Sequence, residues 1–522
     1  MAANGRSTMA RGLIQSIFGT GFSRVMGAAR DIAISHVFGA GRVSDAFWVA
    51  FTVPGVFRRF VADEGLTGVL VPAIQQAEKE SGKAAGAKLA RTALAVLLLA
   101  CTILCIAGIL GAPWLVRAFA FGFTSDPEQF ALTVRLTRWL FPFVLLVSVL
   151  SWCEGLLNLR RHFFLPKMAP GFVGGAMAAS ALLLTSHFQE PTMALVLGTL
   201  VGGLIQVLVC LPLLIRMWGW PVPDFRGLGS PRARQFVGRM GEVVVIGIFA
   251  QLNILVLRLL ASLLETGSVT HYHYATRVVD LAQGVIAVGV GSAALPELAT
   301  AIAGKDFEDF RSKLHQALRL AAVLLIPSAA FTAVLALPVT CVLFLHGEFN
   351  QQDAEATAQT PQMMIPFMLA LGAVQIFKRA YFAINDLQTL MRVGFLGVLL
   401  TASLGHVLAT RHGVAGLAAG LSLATVGQGL IYIVALPARS GIALQLPTLV
   451  SPLIRMGVAS IPAAALAGLI AQWGDWSSGP SLMNLVYLSI AGLTGFSLYA
   501  VIASLIGVSE MRSILRRLRI LK

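Results

Sequence analysis

Acidic side chains are the scarcest chemical resource in this chain. Its 522 residues include 24 Asp and Glu against 39 Lys and Arg, and charged residues of both signs make up only 12%. A soluble domain carries about twice that charged fraction, so the chain cannot clothe itself for water. Long polar stretches are also missing, which excludes a large soluble domain. Cysteine is rare. Cys101, Cys105, Cys153, Cys210 and Cys341 lie within apolar segments, with neither a disulfide framework nor metal-ligand spacing, and read as core packing. Residues 1–11 lack the n-region, h-region and cleavage site of a signal peptide. What is abundant is apolar: 57% of residues are hydrophobic, and mean hydropathy is +0.80. The bilayer is the solvent that suits such a composition.

Apolar runs of helical length predict an all-α integral membrane protein of about fourteen transmembrane helices. They fall near 11–37, 43–76, 87–120, 128–158, 163–186, 192–217, 234–264, 268–303, 313–346, 356–385, 389–411, 413–437, 447–472 and 482–508. A net charge of +15 would suggest nucleic acid in a soluble protein, but here the basic residues are sorted. Connections 124–129, 186–192, 347–360 and 474–481 contain no Lys or Arg. The intervening connections hold Lys79, Lys83 and Lys88, then Arg160, Arg161 and Lys167, then Arg226, Arg232 and Arg234, then Lys305, Arg311 and Lys313; the C-terminus adds Arg512, Arg516, Arg517, Arg519 and Lys522. By the positive-inside rule both termini are cytoplasmic. No nucleic-acid partner is expected.

A repeat runs through the chain. Residues 41–44 echo 267–270, Pro72 echoes Pro296, Pro113 and Gly122 echo Pro338 and Gly347, and Pro142 echoes Pro366, all offset by about 225 residues. Six helices separate the copies, so the two halves share one orientation and are related by an axis along the membrane normal. The expected organisation is an N-lobe at 1–220 (helices 1–6), a C-lobe at 221–440 (helices 7–12), and helices 13–14 with a basic cytoplasmic tail at 441–522. Two pseudo-symmetric six-helix lobes imply a central cavity that opens to alternate sides, which is transporter architecture.

Charge inside the membrane points to what such a cavity holds. On helix 1, Ser23 and Arg30 are seven residues apart, as are Arg24 and Asp31, with Gly27 between; each pair shares a helix face. Helix 2 repeats the logic with Asp45, Thr52, Arg59 and Asp63, with Arg58 one step round and a break at Pro54 and Gly55. Helix 8 places Thr270, His273, Arg277, Asp280 and Gly284 on one stripe. A lipid-facing arginine costs about 2.5–3.5 kcal/mol at the bilayer centre, so these residues either face a hydrated cavity or form internal salt bridges, such as Arg30 or Arg24 with Asp31, Arg58 or Arg59 with Asp63, and Arg277 with Asp280. Arginine rather than lysine suits multidentate binding of phosphate or diphosphate. Arg135, Arg138 and Glu154 read as interface residues or ion pairs ahead of cavity residues, and Arg258, surrounded by leucines, either faces the cavity or pairs across to a neighbour. His271 and His273 lack a nearby third ligand for a metal, and Trp and Tyr near helix ends read as belt anchors.

These residues carry a family resemblance. Ser23 to Asp31, Phe38 to Gly41, Asp45 to Phe47, and Arg58 to Phe60 resemble the N-terminal signature of the MurJ (MviN) lipid II flippase family, within the multidrug/oligosaccharidyl-lipid/polysaccharide exporter superfamily. Residues 267–277, Phe344 to Gly347 with Phe349, and 381–389 extend the likeness. The resemblance implies that Arg24, Arg30, Arg58 and Arg277 line the cavity and engage the diphosphate of lipid II, the undecaprenyl-diphosphate-linked peptidoglycan precursor. It makes Ser23, Asp31, Asp45 and Thr270 further functional or gate positions. Arg59 and Asp280 join the cavity set, and Asp63 or Glu64 matches a family acid. Helices 13 and 14 would form a groove for the polyprenyl tail. The implied protein is a transporter rather than an enzyme, a monomer in the bacterial inner membrane among membrane lipids. Two departures stand out. No Asp or Glu occurs between Asp386 and Asp475, which argues against a carboxylate-built sodium site on helices 7 and 11, and Thr52 stands where the family often has Lys. The coupling ion stays open, and no other cofactor or metal is expected. A multidrug exporter would want carboxylates in the cavity, and a polyprenyl-phosphate enzyme would want clustered acids on interfacial loops. A flippase for another polyprenyl-diphosphate glycan, of the O-antigen type, is the nearer rival.

Overall fold

Apolar runs punctuated by capping residues make the chain helical, and the described residues contain no strand. The computed structural model describes residues 2–58, 67–442 and 444–517, with the backbone alone at 2–14, 17, 58, 67–68, 242–250, 284–296 and 517. The helices divide into two units, Met1–Leu263 and Leu264–Lys522.

The first unit holds α1 (Ala2–Phe38), α2 (Arg42–Arg58), α3 (Thr67–Leu110), α4 (Ala112–Phe119), α5 (Pro127–Leu140), α6 (Pro142–Leu159), α7 (Phe164–Met168), α8 (Gly171–Leu184), α9 (Thr192–Trp218) and α10 (Pro231–Ser262). Asp126 starts α5 by accepting hydrogen bonds from the amides of Glu128 and Gln129, and Ser230 starts α10 in the same way through Ala233. In α3, Gly82 leaves the helical region at φ 81°, so this long run turns there. Against α8, α1 packs so closely that a β-carbon at Gly174 would lie 2.6 Å from the Met26 carbonyl oxygen. Leu70, Leu94, Trp152, Leu157, Leu214 and Phe236 form a core shared by α3, α6, α9 and α10.

The second unit holds α11 (Ser268–Ala303), α12 (Phe307–Phe344), α13 (Gln351–Met363), α14 (Ile365–Ala383), α15 (Leu387–Ser440), α16 (Leu446–Ala471), α17 (Leu482–Leu505) and α18 (Ser509–Arg517). A capping box between Asn350 and Asp353 opens α13. Phe310, Phe377, Tyr381 and Tyr432 anchor a core between α12, α14 and α15. A second core, with Val323, Met456, Tyr499 and Met511, ties α16, α17 and α18 to α12.

The repeat reappears in the backbone. Asp45 donates its amide to the Gly41 carbonyl and His271 donates to the Gly267 carbonyl, the same first helical bond in each half. Asp126 caps α5 as Asn350 caps α13, and Pro142 and Pro366 each open the second limb of a broken helix.

Among the described residues, eight helical stretches are long and apolar enough to cross a bilayer, or nine if the bent pair α13–α14, inclined at 43°, is one span. The expected count of about fourteen is not reached by this measure, for physical reasons. The 54-residue α15 would be about 80 Å long if straight, far beyond a hydrocarbon core of about 30 Å. It breaks at His412 and Gly413, where the sequence predicts helix 11 to give way to helix 12. Its halves fold back on each other, with β-carbon positions at Gly416 and Gly420 only 2.1 Å and 2.5 Å from Leu408 and Gly405. In α1, α2, α10 and α11 the apolar runs are interrupted by charge or include residues described by backbone alone. A further difference is α4: the sequence predicts one helix over 87–120, but Gly111 ends α3 and Pro113 sits in the first turn of a new helix.

All five cysteines are buried and unbridged, as core packing requires. The belt assignment divides. Trp114, Trp220 and Trp473 are exposed, whereas Tyr272, Tyr274 and Tyr381 are buried near helix ends. Burial is possible for Tyr381 because its hydroxyl donates to the Tyr432 carbonyl at 3.0 Å.

Candidate functional site

In the first unit the arginines of α1 sit in contrasting surroundings. Arg24 is exposed and Ser23 partly buried. One turn and a half further on, Arg30 is buried. Its Nη2 lies 2.7 Å from Asp31 Oδ1, and its Nε donates to the same oxygen at 2.8 Å. Its guanidinium also lies 5.5 Å from the ring centroid of Trp48 and 5.7 Å from that of Phe51, both on α2. Trp48 is fully buried, and it meets Phe47 and Phe51 edge to face. A carboxylate supplies charge balance and the aromatic faces supply quadrupole attraction, so a cation that bare lipid would reject is held inside the unit. Asp45, in the first turn of α2, is also buried. Thr52 donates to the Trp48 carbonyl at 2.6 Å.

Arg58 is the last residue of α2 and is described by its backbone. Arg59, Asp63 and Glu64, expected as cavity residues, lie outside the described residues. The helix 4 candidates resolve into ion pairs: Arg135 with Glu190 at 3.2 Å, and Glu154 with Lys167 at 2.5 Å. Arg138 donates to the Ile109 carbonyl.

In the second unit the stripe on α11 grades from buried to open. Thr270 and His273 are buried. Arg277 is 39% exposed and Asp280 62%, with Arg277 donating to Asp280 at 3.3 Å. The buried end is fixed by rings: Tyr274 stacks on Phe344 at 4.5 Å and meets Phe349 edge to face. His271 points to Thr357, 2.9 Å away, and its other nitrogen lies 3.6 Å from Asp353. The sequence segments at 267–277 and 344–349 therefore meet in one cluster that aims α11.

Sequence reasoning identified Arg30 with Asp31 and Arg277 with Asp280 as possible internal pairs, and both form. It missed Trp48 and Phe51 as the walls around Arg30. Their i, i+3 spacing on the helix whose first turn carries Asp45 was the available signal.

A family model described as lipid II flippase MurJ matches residues 34–487. A lipid II flippase MurJ of Burkholderia cenocepacia is 29% identical over 459 residues, covering 87% of this chain and 89% of that protein. A probable lipid II flippase MurJ of Vibrio cholerae is 26% identical over 513 residues, covering 93% and 94%. Among solved structures, a lipid II flippase MurJ in an inward closed conformation superposes with a TM-score of 0.77 at 19% identity, over 95% of this chain and 98% of that one. An inward-facing multidrug resistance MATE family transporter of the MOP superfamily superposes with a TM-score of 0.67 at 15% identity, over 80% and 95%. These two likenesses concern the fold.

Proposed function

The chain belongs to the lipid II flippase MurJ family, and from that premise we propose how it handles its substrate. It is a multi-pass membrane transporter that moves lipid II from the cytoplasmic to the periplasmic leaflet. The observation that carries this reading is the family match over residues 34–487. The protein works by alternating access in the bacterial inner membrane, as a monomer with both termini in the cytoplasm. No covalent chemistry is needed.

Arg24 and Arg277, which are solvent-accessible, take the diphosphate, together with Arg58. An exposed ion pair contributes little to stability, so Arg277 exchanges Asp280 for a phosphate oxygen at small cost. A planar guanidinium then binds the diphosphate in two-point fashion. Arg30 already has its counter-charge and rings, so it positions α1 against α2 and tunes the local field. Ser23, Asp31, Asp45, Arg59, Asp63 or Glu64, Thr270 and Asp280 shape or gate the path. The polyprenyl tail stays in lipid along α16 and α17.

Complementation of a bacterial strain depleted of its lipid II flippase tests this. The wild-type chain restores growth. Arg24→Ala, Arg58→Ala and Arg277→Ala, each present in the membrane at wild-type level, do not. Failure of a well-expressed wild type would sink the lipid II assignment, and rescue by all three variants would sink the arginine mechanism.

A further inference from the structure

The last described helix, α18, is amphipathic in an unusual place, three residues beyond the end of the lipid-facing helix α17. Its apolar side is seated: Met511 is buried, and Ile514 and Leu515 pack into the core that α12, α16 and α17 share. Glu510 is turned inward too, 3.5 Å from Arg319 of α12, and accepts a hydrogen bond from Ser509. What remains on the outer side is Ser509, Arg512, Ser513 and Arg516, spaced i, i+3, i+4 and i+7 on one stripe.

That stripe borders a cleft of about 500 Å³, lined by Gly507, Ser509, Arg512, Ser513 and Arg516. Gly507 takes a left-handed φ of 87°, and after this turn α18 packs against α12 and α17. Arg455 of α16 adds a third guanidinium, its Nη1 3.6 Å from the β-carbon position of Gly507. Arg512 is aimed by its Nε, which donates to the Ser504 carbonyl at 2.8 Å. Among the described residues, no acid lines the cleft. Ile454, next to Arg455 on α16, and Leu505, the last residue of α17 and two before Gly507, are 59% and 77% exposed, as side chains bathed in acyl chains would be.

The geometry points to a binding site for the phosphate headgroup of an anionic bilayer phospholipid, formed by Arg455, Arg512 and Arg516 with Ser509 and Ser513. Arginines immediately beyond a membrane span attract anionic headgroups, and guanidinium matches phosphate oxygens in shape. Exposed apolar side chains on the two helices that lead to the cleft, Ile454 and Leu505, favour a lipid over a free anion. The site uses none of the arginines proposed to take the diphosphate of the transported lipid. Its assignment to the inner leaflet rests on the orientation proposed above; the binding itself does not.

The test uses the full chain in a neutral detergent, with thermal unfolding followed during titration. Phosphatidylglycerol raises the midpoint of the wild type, and phosphatidylcholine does not. In R455Q/R516Q, which leaves the Arg512 to Ser504 bond in place, the midpoint without lipid is unchanged and the apparent affinity for phosphatidylglycerol falls about thirtyfold. An equal response to both lipids, or an unaltered response in the variant, overturns the site. The same shift produced by sodium phosphate alone overturns the lipid as its occupant. Labelling of a Ser513→Cys variant by a membrane-impermeant maleimide reads the leaflet separately: reaction only in inverted vesicles fits the inner leaflet, and reaction only in right-side-out vesicles overturns it.

Discussion

Arg30 of α1 and Arg277 of α11 each sit near an aspartate on their own helix, and the two environments could hardly differ more. The first pair is closed off: its side chains are 11% and 2% exposed, with Trp48 and Phe51 against the guanidinium. The second is 39% and 62% exposed. A buried ion pair whose partner is removed leaves an uncompensated charge in low dielectric, whereas an open pair gives up its partner to water or to a ligand with little penalty. The same two residue types therefore make an enclosed pair in one unit and an open one in the other.

That contrast can be broken or sharpened with five variants. The largest effect is expected for Asp31→Ala, which takes from Arg30 a carboxylate 2.7 Å away. It should destabilise the chain by about 3–5 kcal/mol, read as a lowered thermal midpoint and less protein in the membrane. Replacing both members with apolar residues, Arg30→Met with Asp31→Leu, should recover most of that midpoint; if it does not, Arg30 does more than fill and balance its niche. Arg277→Ala should do the reverse of Asp31→Ala: complementation is lost while the midpoint stays within about 0.5 kcal/mol of wild type. A large midpoint drop there would erase the distinction between the two pairs. Trp48→Leu keeps an apolar side chain but removes the ring face, and a loss of about 1–2 kcal/mol is expected from the cation–π contact alone. Asp280→Asn is the mildest, with under about 1 kcal/mol in stability and lipid II binding unchanged or tighter, measurable on purified protein. Weaker binding in that variant would mean that the aspartate orients Arg277 rather than merely balancing it.

Much of this organisation was legible in the residues. Apolar runs gave the helices, and the break in α15 was readable from His412 and Gly413, where no long apolar side chain continues the pattern. The repeat was readable because it rests on residues with backbone consequences: Gly41 and Gly267 before a helix, and Pro142 and Pro366 at the second limb of a broken one. The split between α3 and α4 was not, since Gly111 and Pro113 are also compatible with a bent continuous helix. Nor was the difference between Arg30 and Arg277. Periodicity places a residue on a helix face, but which neighbour that face meets is a tertiary matter, and Trp48 looks the same in sequence whether it lies against lipid or against a guanidinium. Buried Tyr381 misled the belt reading for a related reason, because its hydroxyl finds a carbonyl on α15 instead of the interface.

The closeness of Arg30 and Asp31 in the chain has a consequence for biosynthesis. A salt bridge between distant helices can form only after both have entered the membrane, and until then each charge is alone. Arg30 and Asp31 are consecutive residues bonded through one oxygen. Their charges can cancel while α1 is still the newest segment to leave the ribosome, before α2 arrives with its rings. The helix would thus partition into lipid as a neutral dipole rather than as a cation, and the insertion machinery would meet a segment far less costly than its composition suggests.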